Sequence, residues 1–151
     1  MPTLQTYFAS MFSKATEYAL RAVIYIAQKS AENKRTGLAE IAKAIDSPQS
    51  FTAKILQRLS RNAIVDSVPG PNGGFYLTEK SRQMPIRSIL TAMEEDEVLV
   101  KCIVGFAQCS ETRPCAMHAQ YKLIKSQLIQ LFDNMSIETL ANEIETDKQP
   151  I

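Results

Sequence analysis

Residues 46 to 77 read DSPQSFTAKILQRLSRNAIVDSVPGPNGGFYL, and the order of signals there restricts the fold more than any other feature of the chain. Ser47 is a good N-cap residue, and Pro48 suits the first helical position, where its missing N–H leaves no bond unmade. A helix is therefore predicted to restart at Asp46-Ser47-Pro48. Phe51, Ile55 and Leu59 recur on one side and are predicted to face the core; the other side carries Ser50, Lys54, Gln57, Arg58 and Arg61. Residues 47 to 65 hold three basic side chains and no acidic one. Ile64, Val65 and Val68 then precede Gly-Pro-Asn-Gly-Gly, and Phe75, Tyr76 and Leu77 follow, which reads as strand, tight turn, strand. A small hairpin that merely closes a core has this pattern too. Its position directly after a polar basic helix fits the winged arrangement, in which the helix enters a major groove and the hairpin touches backbone or minor groove.

The preceding segments complete that reading. Ser13 can cap a helix on which Ala15, Ala19, Ala22, Val23 and Ile26 return at helical spacing as far as about Ser30, with no glycine or proline between. Leu38, Ile41, Ala42 and Ile45 form the apolar face of a shorter helix, with Gly37 as its N-cap and Glu40 in the first turn, where a negative charge favours the helix dipole. Residues 1–10 show no period and are read as a flexible extension.

After the hairpin, MPIRSILTAMEEDE predicts a helix opened by Pro85 and carrying Ile86, Ile89, Leu90 and Met93. Its acidic end, Glu94 to Glu97, is expected to point away from a nucleic acid or to be plain solvated surface. A long helix follows over about residues 116 to 134. Met117, Tyr121, Ile124, Leu128, Leu131 and Met135 alternate by four and three, the seam of a coiled coil, while Leu123, Ile129 and Phe132 lie off it. A helix packed on its own domain and a dimer helix both produce such a pattern, and the dimer accounts better for two apolar faces. From Ser136, with Glu138 and Thr139 nearby, a capped short helix is expected through Ile144.

The fold class is thus mainly α with a small β-hairpin: a winged helix-turn-helix domain over 11–98, a loop over 99–118, and a long dimerisation helix with a C-terminal tail over 119–151. Net charge is +1, so any contact with nucleic acid must come from a local basic face. The candidate DNA contacts are Ser47, Gln49, Ser50, Thr52, Lys54, Gln57, Arg58, Arg61, Asn72 and Gly73, with the cations on phosphates and Ser50, Thr52 and Gln57 on base edges. No stretch approaches the roughly 18 apolar residues of a membrane span, and a soluble, cytoplasmic protein is expected. No phosphate loop or nucleophilic catalytic set appears, so an enzyme is not expected.

All three cysteines and the sole histidine fall within CIVGFAQCSETRPCAMH, residues 102 to 118. An odd cysteine count rules out a complete set of internal disulfides. Structural zinc takes ligands two to four residues apart, which only Cys115 and His118 satisfy. The wider gaps from Cys102 to Cys109 and from Cys109 to Cys115 suit a polynuclear cluster, with one imidazole in place of a thiolate. Gly105, Ala107 and Ser110 let such a loop wrap a bulky object, and Pro114 stiffens the approach to Cys115. Cysteines packing as small hydrophobes are the bland alternative.

MFSKATEYALRAVIYIA, SPQSFTAKILQRLSRNAIV, GPNGGFYL and the three cysteines before the last long helix together resemble the bacterial winged-helix regulators of the IscR and NsrR group, the Rrf-two family, over about residues 11 to 144. The resemblance implies a homodimer on palindromic promoter DNA whose binding depends on an iron–sulfur cluster. By position, Cys102, Cys109 and Cys115 match the family's thiolate ligands, and His118 matches the histidine completing a 2Fe–2S site, the preferred cofactor. A 4Fe–4S cluster completed by Glu17 of the partner subunit is the second option. The chain departs from the family in its six-residue first cysteine gap, where five is common, and in Pro69, where a basic wing residue often sits. A regulator of the same fold without a cluster, using a Cys109–Cys115 disulfide, zinc or a protein partner, is the alternative. An electron carrier or cluster-transfer protein leaves the helix-turn-helix and wing unexplained.

Overall fold

The computed structural model describes residues 11–106 and 110–144. The extension over 1–10 and Cys109 lie outside the described residues. Helix α1, Lys14–Ala31, opens on Ser13, whose Oγ accepts the Thr16 N–H at 3.3 Å. It buries Ala19, Ala22, Val23 and Ile26, the face that the alanine-rich spacing marked. Helix α2, Leu38–Ala44, follows Gly37 as expected, and Asp46 then takes a left-handed φ of 52° to reverse the chain. Asparagine and aspartate tolerate that region because their short polar side chains bond locally.

Helix α3, Gln49–Arg61, starts one residue later than predicted: Pro48 is its N-cap, and the Ser47 hydroxyl lies 3.5 Å from the Pro48 carbonyl and caps no helical N–H. The apolar stripe is also rotated. Thr52, Ile55, Leu56 and Leu59 are buried, whereas Phe51 is 37% exposed and meets Tyr18 edge-on at 5.8 Å between ring centroids. Leu56 had no place in the predicted face, yet it is one of the largest fully buried side chains.

The hairpin is formed by β1, Asp66–Val68, and β2, Gly74–Tyr76, antiparallel with Ser67 opposite Phe75. Thr36 pairs with the free edge of β2, exchanging bonds of 3.0 and 2.8 Å with Phe75. This pairing fixes Gly74, since a Cβ at its φ of +138° would sit 2.9 Å from the Thr36 backbone.

The helix predicted from MPIRSILTAMEEDE is much shorter. After α4, Glu79–Arg82, helix α5 spans only Arg87–Ala92, because Glu94 turns left-handed at φ 59° and a 3-10 turn over Asp96–Leu99 follows. The Ile86 N–H donates to the Met135 carbonyl at 2.9 Å, so the start of α5 is tied to the far end of the chain. Helix α6, His118–Asn134, leads to α7, Ile137–Glu143, which Ser136 caps by accepting the Thr139 N–H at 3.0 Å.

Helix α7 packs back against the first helix of the chain. Its Ile137 and Ala141 are part of the core with Ile26, Ile41, Leu59 and Ile89. The Gln28 amide donates to the Ala141 and Ile144 carbonyls at 2.9 and 3.0 Å, supplying partners to carbonyls a helix end leaves open. The segment after the long helix therefore completes the winged domain. Helix α6 itself buries only His118; Tyr121, Leu128 and Met135 are half-buried, while Met117, Ile124 and Leu131 are exposed by 52, 54 and 54%. Among the described residues, no helix is long and apolar enough to cross a membrane.

Candidate functional site

Two groups of residues converge on chemistry. The first is the face of α3. Ser50, Lys54, Gln57 and Arg61, spaced by four, three and four, are all exposed, and Gln49 is exposed in the first turn. No Asp or Glu interrupts the helix. Thr52 does not belong to this face. It is fully buried and its hydroxyl donates to the Pro48 carbonyl at 3.0 Å, so a base-edge role is withdrawn: a buried hydroxyl already bonded cannot reach a groove. Ser47 is half-buried before the helix. Arg58 is partly buried, and its Nη2 donates to Glu94 Oε2 at 3.0 Å. Glu94, at the acidic end of the segment that follows the hairpin, thus meets α3 while staying largely solvated.

At the wing tip Asn72 is exposed. The Gly73 N–H donates to Gly70 O at 2.9 Å, so that amide is committed to the turn and is not available to a phosphate. A Cβ on Gly73 would lie 2.0 Å from the Val68 carbonyl oxygen, which is why glycine stands there.

The second group surrounds the N-terminus of α6. His118 is 8% exposed, and Cys102 and Cys115 are each half-buried. Cys102 and His118 line one cleft of about 650 Å³ with Val100, Phe106 and Tyr121 among its apolar walls. Cys115 is tied to this place through its carbonyl, which accepts the His118 N–H at 3.0 Å. The Cys102 carbonyl accepts the Gly105 N–H at 3.0 Å, with Gly105 at φ +85°, so the glycine permits the chain to turn back after the first thiol.

Sequence reasoning missed Glu111 and Lys122. Glu111 Oε2 lies 3.5 Å from His118 Nε2, and its Oε1 accepts from Lys122 Nζ at 2.7 Å. Lys122, by hydrogen bond and charge, holds the Glu111 carboxyl below its usual range, with His118 adding to the effect. No sequence signal marked this contact, because it joins a loop to a helix through side chains on unrelated periods. Lys125 Nζ donates to the Val100 carbonyl at 3.2 Å and links α6 to the loop carrying Cys102. Glu17 lies in the first turn of α1 near Lys14 Nζ, at 4.0 Å, and does not line the Cys102 and His118 cleft of its own chain.

Thiolate and imidazole on one partly apolar cleft suit an iron–sulfur cluster in donor type and room. Among the described residues, three or more His, Cys, Asp or Glu side chains are not gathered into a metal-holding group, and Cys109 lies outside them.

A basic recognition helix packed on α1 and α2, followed by a paired hairpin, defines a winged-helix DNA-binding protein. The chain belongs to the Rrf2 family, described as iron-dependent transcriptional regulator, whose model matches residues 12–143. It is 32% identical to a putative HTH-type transcriptional regulator of Aquifex aeolicus, over 93% of this chain and 98% of that one. It is 27% identical to the HTH-type transcriptional regulator IscR of Cronobacter sakazakii, over 85% of this chain and 78% of that one. Among solved structures, CymR, the global cysteine regulator of B. subtilis, aligns with TM-score 0.73 at 20% identity, covering 89% of this chain and 98% of that one. T. potens IscR aligns with TM-score 0.67 at 16% identity, covering 91% and 90%. These two likenesses share the fold.

Proposed function

We propose that the protein is a homodimeric transcriptional regulator whose binding to palindromic promoter DNA responds to an iron–sulfur cluster held by Cys102, Cys109, Cys115 and His118. The observation that carries this reading is the convergence of Cys102 and the buried His118 on one cleft at the start of α6. A 2Fe–2S cluster is favoured because His118 is local; a 4Fe–4S cluster completed by Glu17 of the partner subunit is the second form. When bound, the cluster supplies sensitivity to iron, oxygen, nitric oxide or redox potential.

The chain's own residues supply the rest. Met117, Ile124 and Leu131, seven residues apart and exposed, form the half of the seam that a second copy would cover. Ser50 and Gln57 are placed to read base edges, and Lys54, Arg58 and Arg61 to meet phosphate. The segment from Glu94 to Cys102 joins the two sites: Glu94 holds Arg58, Glu95 holds Ser13, and Cys102 enters the cleft. Ligand state alters DNA binding only if its free energy differs between two arrangements of the dimer.

The test is an absorbance spectrum with iron and acid-labile sulfide analysis on protein purified without oxygen, beside His118→Ala and Glu17→Ala. Visible bands with near-stoichiometric iron and sulfide, altered in the His118 variant, are expected. Colourless protein after reconstitution would overturn the cluster and leave zinc, a thiol switch or a protein partner.

A further inference from the structure

At the base of the wing, opposite its tip, lies a cleft of about 310 Å³, apart from α3 and from the Cys102 and His118 cleft. It is built from two stretches distant in sequence, the loop after α1 and the run from β2 into α4. The loop after α1 supplies Asn33, Lys34 and Arg35, the end of β2 supplies Tyr76, and α4 supplies Arg82. The Thr36 pairing with Phe75 brings them together, since it sets Arg35 beside Tyr76 on the base side of the bridge. The Arg35 guanidinium stacks over the Tyr76 ring, 5.6 Å from its centroid, which fixes the direction of the charge.

The lining carries three cations and no carboxylate. Three other clefts each include acidic side chains: Glu97 and Glu111 in one, Glu94, Glu95 and Glu97 in another, and Asp133 in the third. Of the three cations, Lys34 pairs with Glu32 at 2.6 Å and Arg82 with Glu138 at 3.1 Å, and both carboxylates stand outside the lining. Arg35 forms no ion pair among the described residues. The Glu138 contact anchors Arg82 through Nη1, so one edge of the site is held in place before any ligand arrives.

We infer that this cleft is an anion site for a phosphate group, separate from both the recognition helix and the cysteine loop. Planar guanidinium groups from two elements, a lysine ammonium and the Asn33 amide are the donors that phosphate oxygens accept from. The volume is at the lower limit for a ligand pocket, which matches a small anion or one phosphate of a larger molecule. That phosphate comes either from the DNA backbone beside the wing or from a free phosphorylated solute.

The experiment compares thermal unfolding of the full chain in inorganic phosphate and in chloride at matched ionic strength, for the natural protein, Arg35→Gln and Lys34→Gln. Both substituted residues are exposed, so folding is retained. Phosphate is expected to raise the Tm of the natural protein by several degrees at saturating concentration, and the rise should be largely lost in Arg35→Gln. The salt dependence of binding to a random-sequence duplex then separates the sources. A slope reduced by about one in Arg35→Gln assigns a backbone phosphate, and an unchanged slope assigns a free solute. No Tm rise beyond chloride, or an equal rise in Arg35→Gln, overturns the site.

Discussion

Arg58 on the recognition helix donates from Nη2 to Glu94 Oε2 across 3.0 Å, although the two residues lie on different elements and Glu94 is 85% exposed. A cation otherwise suited to phosphate is thereby occupied by a carboxylate at the edge of the cysteine loop. On the phosphate contact proposed for Arg58, DNA and Glu94 would compete for the same guanidinium.

Glu94→Gln is expected to tighten binding to a random-sequence duplex by up to about fivefold at low salt, the upper end of what an exposed ion pair of roughly 0.2–1 kcal/mol permits. Arg58→Ala should weaken it and lower the salt slope by about one. Fluorescence anisotropy across a salt series decides; an unaltered affinity in Glu94→Gln removes the competition.

Lys54→Ala with Arg61→Ala should weaken binding to all sequences alike, because phosphate contacts carry no sequence information. The salt slope is expected to fall by about two. A loss confined to one promoter sequence would instead place these side chains on bases.

Glu95 accepts the Ser13 N–H at 2.9 Å and the Ser13 hydroxyl at 3.0 Å, holding the entry to α1. Burial alone would raise its carboxyl, but hydrogen bonds from Thr16 and Ser13 and the Arg58 charge outweigh it and keep the group below its ordinary 4.5. A depressed folded value means that the stabilisation is present above the unfolded value and is lost as pH falls through the folded one. Urea midpoints of Glu95→Gln should therefore match the loss at low pH already at neutral pH, and should vary less with pH below about 4.5 than those of the natural protein.

Gly73→Ala places a methyl group 2.0 Å from the Val68 carbonyl, against backbone that cannot rotate away. A cost of about 1–3 kcal/mol is expected from such overpacking. Because the clash is in the turn, the hairpin should loosen before the core does, and amide exchange of Phe75 and Tyr76 would report it. Exchange unaffected there, with global stability lowered, would place the strain elsewhere.

Leu131→Glu should leave the monomer fold intact, since Leu131 is 54% exposed and outside the core, and should shift sedimentation from dimer to monomer. A dimer persisting in this variant and in Ile124→Glu would move the interface off α6.

Much of the winged domain was legible because local signals there agree with one another. Ser13, Gly37 and Ser136 stand at the predicted helix starts, and the GPNGG stretch turns the chain from one short strand into the next, with Gly74 already in the second. The α3 register was read wrongly at Phe51 and Thr52: periodicity alone leaves about one residue of rotation open, and the burial of Leu56 in the core settled it. The length of the helix after the hairpin was overestimated, because its apolar period continues to Met93 while the chain turns left-handed at Glu94, which no local period marks.

The cysteine stretch shows where sequence stops. Its ligand types and spacing are chemical facts of the chain, and so are the caps, the hairpin turn and the basic face of α3, because each depends on residues close in sequence. Only the tertiary structure decided that Cys102 and His118 share a cleft, that Glu111 stands at the imidazole, that α7 folds back to complete the core, and that Arg35 and Arg82 face one cavity. Those are contacts between side chains that share no helix or strand. Their geometry follows from how the helices pack, and no local period encodes it.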